Sequence, residues 1–374
     1  MRLTARFLSV VVPVLAISAA FLTAANLHLT KSSGLTVHEW GTFTSVAGED
    51  GSAIEWDALG CSSDLPRFVN DYGYRGLKRI LSDTVRMETP VMYFYSPQEL
   101  EAHVKVSFHQ GLITEWYPQA EYKASAIEWP TIKIQPNTSP AFPIEKDPSR
   151  YYAARETDAA PLAVGDQHEK FLFYRGVGHF PVPLSARVSS GGKITVENRG
   201  LESVPSVILF ENRGGHLGYR SAGAVPDTVT LDSPSLDSSL PVLRQELETA
   251  LVAQGLFPRE ARAMLETWRD SWFEEGSRLI YILSTPTVDG ILPLQIEPAP
   301  SATVRVFVGR MELVTPATEQ SVESAIAKGD WSVVARYNRF LDPILRRVYP
   351  GNPSGVSQVE QLYRASVSAG ANCR

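Results

Sequence analysis

The chain has 374 residues, of which 44% are hydrophobic and 20% are charged, and its formal net charge is -6. This composition can supply the core of one large or two ordinary domains and argues against a chain that is disordered throughout. No basic cluster of the kind that follows a phosphate backbone is present, so nucleic acid is excluded as the expected partner.

The N-terminal segment predicts export. Arg2 and Arg6 precede an apolar run from Phe7 to Leu22, and small residues follow it. This pattern indicates a signal peptide within residues 1–25 and a periplasmic or extracellular location. The alternative is an uncleaved anchor in the inner membrane through residues 7–25, because this run approaches the ~20 residues that span a bilayer. The expected membrane contact is limited to this segment.

The two cysteines, Cys61 and Cys373, leave two alternatives open. In an oxidising compartment they can form one disulfide that closes nearly the whole chain, which would restrict the unfolded state strongly. The other alternative is a pair of free thiols.

Alternating residues predict a half-buried strand at positions 103–109. Val104, Val106 and Phe108 share one face, and polar side chains occupy the other. A turn at His109–Gly111 predicts a hairpin in which Phe108 faces Leu112 and His103 meets Tyr117. The preceding run at residues 91–95 is apolar on both faces, which indicates a central strand.

The remaining pattern predicts a β-rich α+β fold. Short strands separated by turn residues favour an antiparallel, β-sandwich-like module over residues 35–230. The apolar period then changes to about 3.6, which predicts a mixed α/β module over residues 235–350 that contains a helical hairpin. A polar tail is expected over residues 351–374.

Five segments resemble a group of uncharacterised exported bacterial proteins. The segments are VHEWGTFTSVAG (37–48), RMETPVMYFYS (86–96), TEWYPQAEY (114–122), SWFEEG (271–276) and VRVFVGRMELVTP (304–316). The resemblance implies a bacterial origin and export, and it implies no reaction.

Four tryptophans follow a glutamate, and these pairs suggest a binding face. In a strand, the two neighbours point to opposite faces, so adjacent strands can place a row of carboxylates on one side and indoles on the other. Such a face could bind a glycan through stacking and charged hydrogen bonds. The alternative is that the indoles fill the core and the glutamates are solvated. The candidate binding residues are His38, Trp40, His103, Trp116, Tyr117 and Arg310.

Two further hypotheses are an enzyme, specifically a glycan hydrolase, and a metal-binding protein. Glu39 and Glu115 are the candidate catalytic pair of a glycan hydrolase, which requires carboxylates ~5 to 9 Å apart. His38, His179 and His216 could form a metal site if their strands meet, although isolated histidines are the simpler expectation. The sequence carries no metal-binding spacing and no cofactor motif, so no metal or cofactor is assigned.

Arg310 and Glu312 continue the apolar face of the strand at residues 304–308. This position predicts an inward-facing ion pair, with Glu312 or Glu297 as the partner, or an anion bound by the arginine. The leading hypothesis is an exported, non-enzymatic protein that binds an envelope or extracellular ligand, with a glycan as the first expectation.

Overall fold

The computed structural model describes residues 34–58, 65–72, 83–147 and 149–367. The predicted signal peptide and both cysteines lie outside these residues. Within the described part of the chain, no helix has the length and apolarity that a membrane span requires.

Among the described residues, fifteen strands precede the first α-helix, and strands and helices mix after it. The strands are β1 (Thr36–Val46), β2 (Asn70–Asp71), β3 (Val85–Tyr95), β4 (Leu100–Ser107), β5 (Gly111–Tyr117), β6 (Glu121–Tyr122), β7 (Ala126–Ile134), β8 (Leu162–Val164), β9 (Gln167–Glu169), β10 (Leu172–Gly178), β11 (Leu184–Val188), β12 (Ile194–Asn198), β13 (Val204–Arg213), β14 (His216–Val225), β15 (Thr228–Leu231), β16 (Gly276–Ile282), β17 (Leu294–Glu297) and β18 (Ala302–Leu313). The helices are α1 (Leu240–Ala253), α2 (Pro258–Thr267), α3 (Thr285–Ile291), α4 (Pro316–Lys328), α5 (Trp331–Ala335), α6 (Leu341–Val348) and α7 (Pro353–Val367), and two 3-10 helices cover Arg150–Arg155 and Asn338–Phe340.

The largest sheet joins both halves of the chain. Its nine strands have the order β14-β13-β16-β18-β1-β3-β10-β5-β2. At its centre, β1 runs parallel to β18 and antiparallel to β3. The described residues form one compact unit. The expected boundary between the modules at residues 35–230 and 235–350 lies inside this unit, because strands from both sides of it pair in one sheet.

Two smaller sheets cover one face of the large sheet. One has the order β17-β4-β7-β8-β9 with β6 paired to β7, and the other has the order β11-β12-β15. Apolar side chains from all three sheets form one core, which includes Phe43, Phe94, Trp129 and Val196. This arrangement confirms the β-rich α+β class with sandwich-like layers, and the ladders within the smaller sheets are antiparallel.

The predicted alternation at residues 103–109 is confirmed, but the predicted hairpin is wrong. Val104, Val106 and Phe108 are fully buried. However, β4 pairs with β7 and β17, whereas β5 pairs with β10 and β2. The turn carries the chain from one sheet to the other, and the Phe108 N–H donates to the carbonyl of Ser125 at 2.6 Å. Alternation determines which face of a strand is buried. It does not determine which sheet supplies the neighbouring strand, because a partner in either sheet leaves the same face buried.

Helices cover the other face of the large sheet in two groups. α1 and α2 form the predicted helical hairpin and pack against this face through Leu247, Met264 and other apolar residues. The second group contains α4, α5, α6 and α7, and it buries Val322, Val334 and Ile344.

The predicted polar tail is corrected in part. Residues Pro353–Val367 form α7, and Val356 and Val359 are buried against the second helical group. Their spacing of three residues, continued by Tyr363, places them on one side of a helix. The many serine and glutamine residues around them conceal this short apolar stripe.

One stability prediction concerns the start of α4. Thr315 precedes the helix, and its Oγ1 accepts a hydrogen bond from the Thr318 N–H at 3.2 Å. We expect Thr315→Ala to lower the free energy of unfolding by about 1 kcal/mol, because an orphan backbone donor loses its acceptor. Urea denaturation would measure the loss. Thr315→Ser retains the hydroxyl and should be close to wild type, and equal losses in both variants would contradict the capping role.

Candidate functional site

Charged residues concentrate in the middle of the helix-covered face of the large sheet. We call this group the central ion cluster, and it consists of Glu88, Glu274, Arg278, Arg310, Glu312 and Arg339. Four of its members lie on strands, one on β3, one on β16 and two on β18. Glu274 lies in the segment between α2 and β16, and Arg339 lies in the 3-10 helix Asn338–Phe340. The cluster holds three arginines and three glutamates, so its formal charges balance.

The sheet register explains why these side chains meet. Arg278 on β16 is the direct neighbour of Glu312 on β18. Arg310 on β18 is the neighbour of Thr44 on β1, and Thr42 on β1 is the neighbour of Glu88 on β3. Because residues two apart on a strand share a face, all these side chains point towards the helices.

Short ion pairs connect the cluster. Arg278 Nε donates to Glu312 Oε2 at 2.8 Å, and Arg339 Nη1 donates to Glu88 Oε1 at 2.6 Å. Glu274 bridges two arginines, because its Oε1 accepts from Arg310 Nη2 and lies 3.4 Å from Arg339 Nη2. Arg278 also donates to the backbone carbonyls of residues 272, 274 and 275. The predicted pair of Arg310 and Glu312 is present at 3.7 Å, but Glu274 is the closer partner.

Arg310 is the least satisfied member of the cluster. Its side chain is only 1% exposed. Its Nε and Nη1 have no hydrogen-bond partner among the described residues, and the same holds for the buried hydroxyls of Thr42 and Thr44. A buried donor without an acceptor costs about 1–3 kcal/mol, and more when the group is charged. The site therefore combines a buried cation with unpaired hydrogen-bonding groups on the neighbouring strand.

The electrostatics of the cluster follow from burial and crowding. Burial alone would raise the pKa of Glu88, but the positive charges of Arg339, Arg86, Arg310 and Arg175 lower it to about 2. Burial and the nearby Arg339 and Arg278 lower the pKa of Arg310 to about 10, although Glu274 opposes this change. Arg310 is therefore still charged at neutral pH.

The sheet is irregular beside the cluster. Register shifts occur between Trp40 and Thr42 on β1 and between Phe173 and Gly176 on β10. Thr89 has a φ of 47°, which is a strained conformation for a β-branched residue. A glycine is required at position 41, within the register shift on β1, because a Cβ at this position would lie 2.7 Å from the Phe307 ring. Bulges and backbone strain of this kind are frequent next to functional sites.

The predicted catalytic glutamates do not meet. Glu39 lies on the face covered by the smaller sheets, where it accepts hydrogen bonds from Tyr174 at 2.5 Å and from Arg305 at 2.6 Å. Glu115 lies on the helix-covered face, where its neighbour in the register is Arg175. Since β1 and β5 are three positions apart in the sheet, their separation is about 14 Å. The hypothesis of a carboxylate pair at Glu39 and Glu115 is therefore wrong in its geometry.

The predicted aromatic and acidic face is also corrected. Trp40, Trp116 and Tyr117 are buried, with exposures of 0%, 6% and 3%. Trp116 stacks on Tyr122 with ring centroids 4.5 Å apart. These rings belong to the cores between the layers, so they do not present a stacking platform for a sugar. The glutamates of the two pairs point to opposite faces of the sheet and do not form a row.

The predicted histidines are separate from one another. His38 Nδ1 donates to Glu260 Oε2 at 2.7 Å, and the Tyr95 hydroxyl donates to the other oxygen of Glu260 at 2.7 Å. His103 contacts Glu128 at 2.9 Å instead of Tyr117. His216 lies on β14, four strand positions from His38, which is about 19 Å. No group of three metal-ligating side chains occurs among the described residues, so the His38, His179 and His216 site is not assembled.

Sequence reasoning identified Arg310 and Glu312 but missed the other members of the central ion cluster. A signal for two of them was present, because Glu88 and Arg278 are charged residues inside largely apolar strands. Buried charges need partners, so each of these positions predicts an opposite charge nearby. Arg339 lies in a helical segment, and no local pattern connects it to Glu88, which is 251 residues away.

The comparisons with known proteins assign this chain to no family. No protein-family model matches it, and no curated protein matches it. Among solved structures, the yeast delta-COP-I mu-homology domain complexed with Dsl1 WxWxV peptide is 10% identical, with a TM-score of 0.29, and the match covers 76% of this chain and 97% of that chain. The yeast delta-COP-I mu-homology domain is 11% identical with a TM-score of 0.30 and the same coverage. The chain is thus defined by its own architecture, a strand-rich α+β fold with a buried central ion cluster.

Proposed function

We propose that this protein is an exported ligand-binding protein of the bacterial envelope or of the extracellular space, and that its ligand binds at the central ion cluster. The expectation from sequence is a glycan, and the arginines of the cluster favour a glycan that carries an anionic group. The observation that carries the proposal is the fully buried Arg310, whose Nε and Nη1 are unpaired beside the unpaired hydroxyls of Thr42 and Thr44.

The position of the cluster supports binding over hydrolysis. The segments around residues 37–48, 86–96, 271–276 and 304–316 contribute Thr42 and Thr44, Glu88, Glu274, and Arg310 and Glu312. These are four of the five segments on which the resemblance to exported bacterial proteins rests. Every carboxylate of the cluster already accepts a hydrogen bond from an arginine, which leaves none of them in the arrangement of a general acid paired with a nucleophile.

Two measurements test this proposal. The first expresses the full chain in a bacterial host and determines its N-terminal mass and its compartment, and we expect a processed chain outside the cytoplasm. The second applies the purified mature chain to a glycan array, and we expect binding to acidic glycans without cleavage. An unprocessed chain retained in the cytoplasm would contradict export. Glycan cleavage that Glu39→Gln or Glu115→Gln abolishes would contradict the binding role.

A further inference from the structure

We infer that Arg310, Thr42 and Thr44 form a binding site for an oxyanion, either a free tetrahedral anion or a carboxylate carried by a sugar. This inference rests on the proposed function, since it names the chemical class that the central ion cluster recognises. The inference also assigns the three residues that contact the bound oxyanion.

The donor chemistry selects an anion. A guanidinium has five N–H donors and no acceptor, so it cannot bind a metal ion, and its positive charge repels other cations. Arg310 uses Nη2 for Glu274, and its Nε and Nη1 are unpaired within the described residues. Hydrogen bonds from a charged donor to an oxyanion are shorter and about twice as strong as neutral ones.

The neighbouring strand adds two hydroxyls of suitable position. Thr44 is the register neighbour of Arg310, and Thr42 precedes it by two residues on the same face. Both side chains are fully buried, and both hydroxyl oxygens are unpaired among the described residues. A threonine hydroxyl can donate to an oxyanion, so the arginine and the two threonines provide donors from adjacent strands. Backbone strain at Thr89, next to Glu88 on β3, lies at the same place in the sheet.

The side chains around Arg310 differ in their exposure. Arg310, Glu312 and Glu88 are at most 3% exposed, whereas Arg339 is 11% and Glu274 is 16% exposed. Glu274 and Arg339 therefore form the outer side of the cluster. An oxyanion would reach Arg310 from this side, and Arg339 would attract it on the way.

Binding measurements on matched variants test the inference. The purified mature chain would be titrated by calorimetry with inorganic phosphate, with sulfate, with glucuronate and with uncharged glucose, at constant ionic strength. We expect saturable binding of at least one oxyanion and no binding of glucose. Phosphate or sulfate alone would identify a free anion as the ligand, whereas glucuronate alone would identify a sugar carboxylate.

The variants separate the site from other parts of the protein. Thr44→Val retains the shape of the side chain and should weaken binding about tenfold or more, because it removes a hydrogen bond to a charged group. Thr44→Ser should restore affinity. Ser45→Ala removes an unpaired buried hydroxyl on the opposite face of the same strand and should bind like wild type. Arg310→Lys should abolish the binding that wild type shows.

Two results would overturn the inference. One is the absence of oxyanion binding by a folded wild-type chain. The other is equal affinity of Thr44→Val and Ser45→Ala. These results are distinguishable from failure of the proposed function, because export is measured on the intact chain in cells. Array binding that survives Thr44→Val and Arg310→Lys would retain a ligand-binding role and reject this site.

Discussion

Arg278→Met is expected to lower the free energy of unfolding by about 3–5 kcal/mol, which is the usual effect of removing one partner from a buried ion pair. Arg278 is 0% exposed, and it donates two hydrogen bonds to Glu312 at 2.8 and 3.3 Å. It also satisfies three backbone carbonyls in the turn that joins α2 to β16. Methionine fills much of the same volume, but it leaves the Glu312 carboxylate and these carbonyls without their donor.

A double-mutant cycle separates the lost pairing from the cost of the orphaned charge. Arg278→Met, Glu312→Leu and the double variant would be compared by urea denaturation of the mature chain. We expect the double variant to lose less than the sum of the single losses, because it buries no unpaired charge. Arg346→Met is the control, because the Arg346 side chain is 58% exposed in its pair with Asp342 at 2.9 Å, and it should change stability by less than about 1 kcal/mol. Additive losses across the cycle would show that Arg278 and Glu312 act independently.

Local sequence patterns predicted individual strands and helices well, for a physical reason. The burial of Val104, Val106 and Phe108 follows from alternation alone, because a strand has two faces and a core accepts only one of them. The helical hairpin of α1 and α2 is similarly local, since Leu243, Leu247 and Leu251 recur at helical spacing.

Strand partners could not be derived in the same way. β4 and β5 are adjacent in sequence and joined by a short turn, yet each pairs in a different sheet. A hairpin and a crossover satisfy the same alternation, and the choice depends on contacts with distant strands such as β7 and β10. The parallel pairing of β1 with β18 connects residues more than 260 positions apart and has no local signal.

The candidate site was predictable only at Arg310 and Glu312. Their position on an apolar strand face indicated burial, and buried charges need partners. The partner Glu274 lies in a turn, and the partner Arg339 lies in a 3-10 helix. These short segments have no repeating apolar pattern from which the burial of a side chain could be predicted. Glu39 and Glu115 are equivalent in their local sequence, since each precedes a tryptophan in a strand. The register between the strands places them on opposite faces, because Glu39 shares its face with Met92, Leu172 and Trp116, the residue next to Glu115.

Glu88 should make the stability of the protein depend on pH in the acidic range. Its pKa is about 2 in the folded protein and 4.5 as the ordinary value, so folding favours its charged form. A difference of this size corresponds to about 3 kcal/mol, since one pKa unit is ~1.4 kcal/mol. This contribution is complete above pH ~4.5, where the unfolded chain is also ionised, and it decreases as the pH falls towards 2.

Glu88→Gln tests this electrostatic contribution, because glutamine retains the size of the side chain and removes its charge. At pH 7 we expect the variant to be about 3 kcal/mol less stable than wild type, and we expect the difference to shrink progressively at pH 4 and pH 3. Urea denaturation at each pH would measure both chains. Glu101→Gln, in an exposed pair with Lys133 at 3.7 Å, provides the surface control and should show little difference at any pH. If the Glu88→Gln difference is the same at pH 7 and pH 3, the loss comes from hydrogen-bond geometry, and the four arginines do not act on Glu88 through its charge.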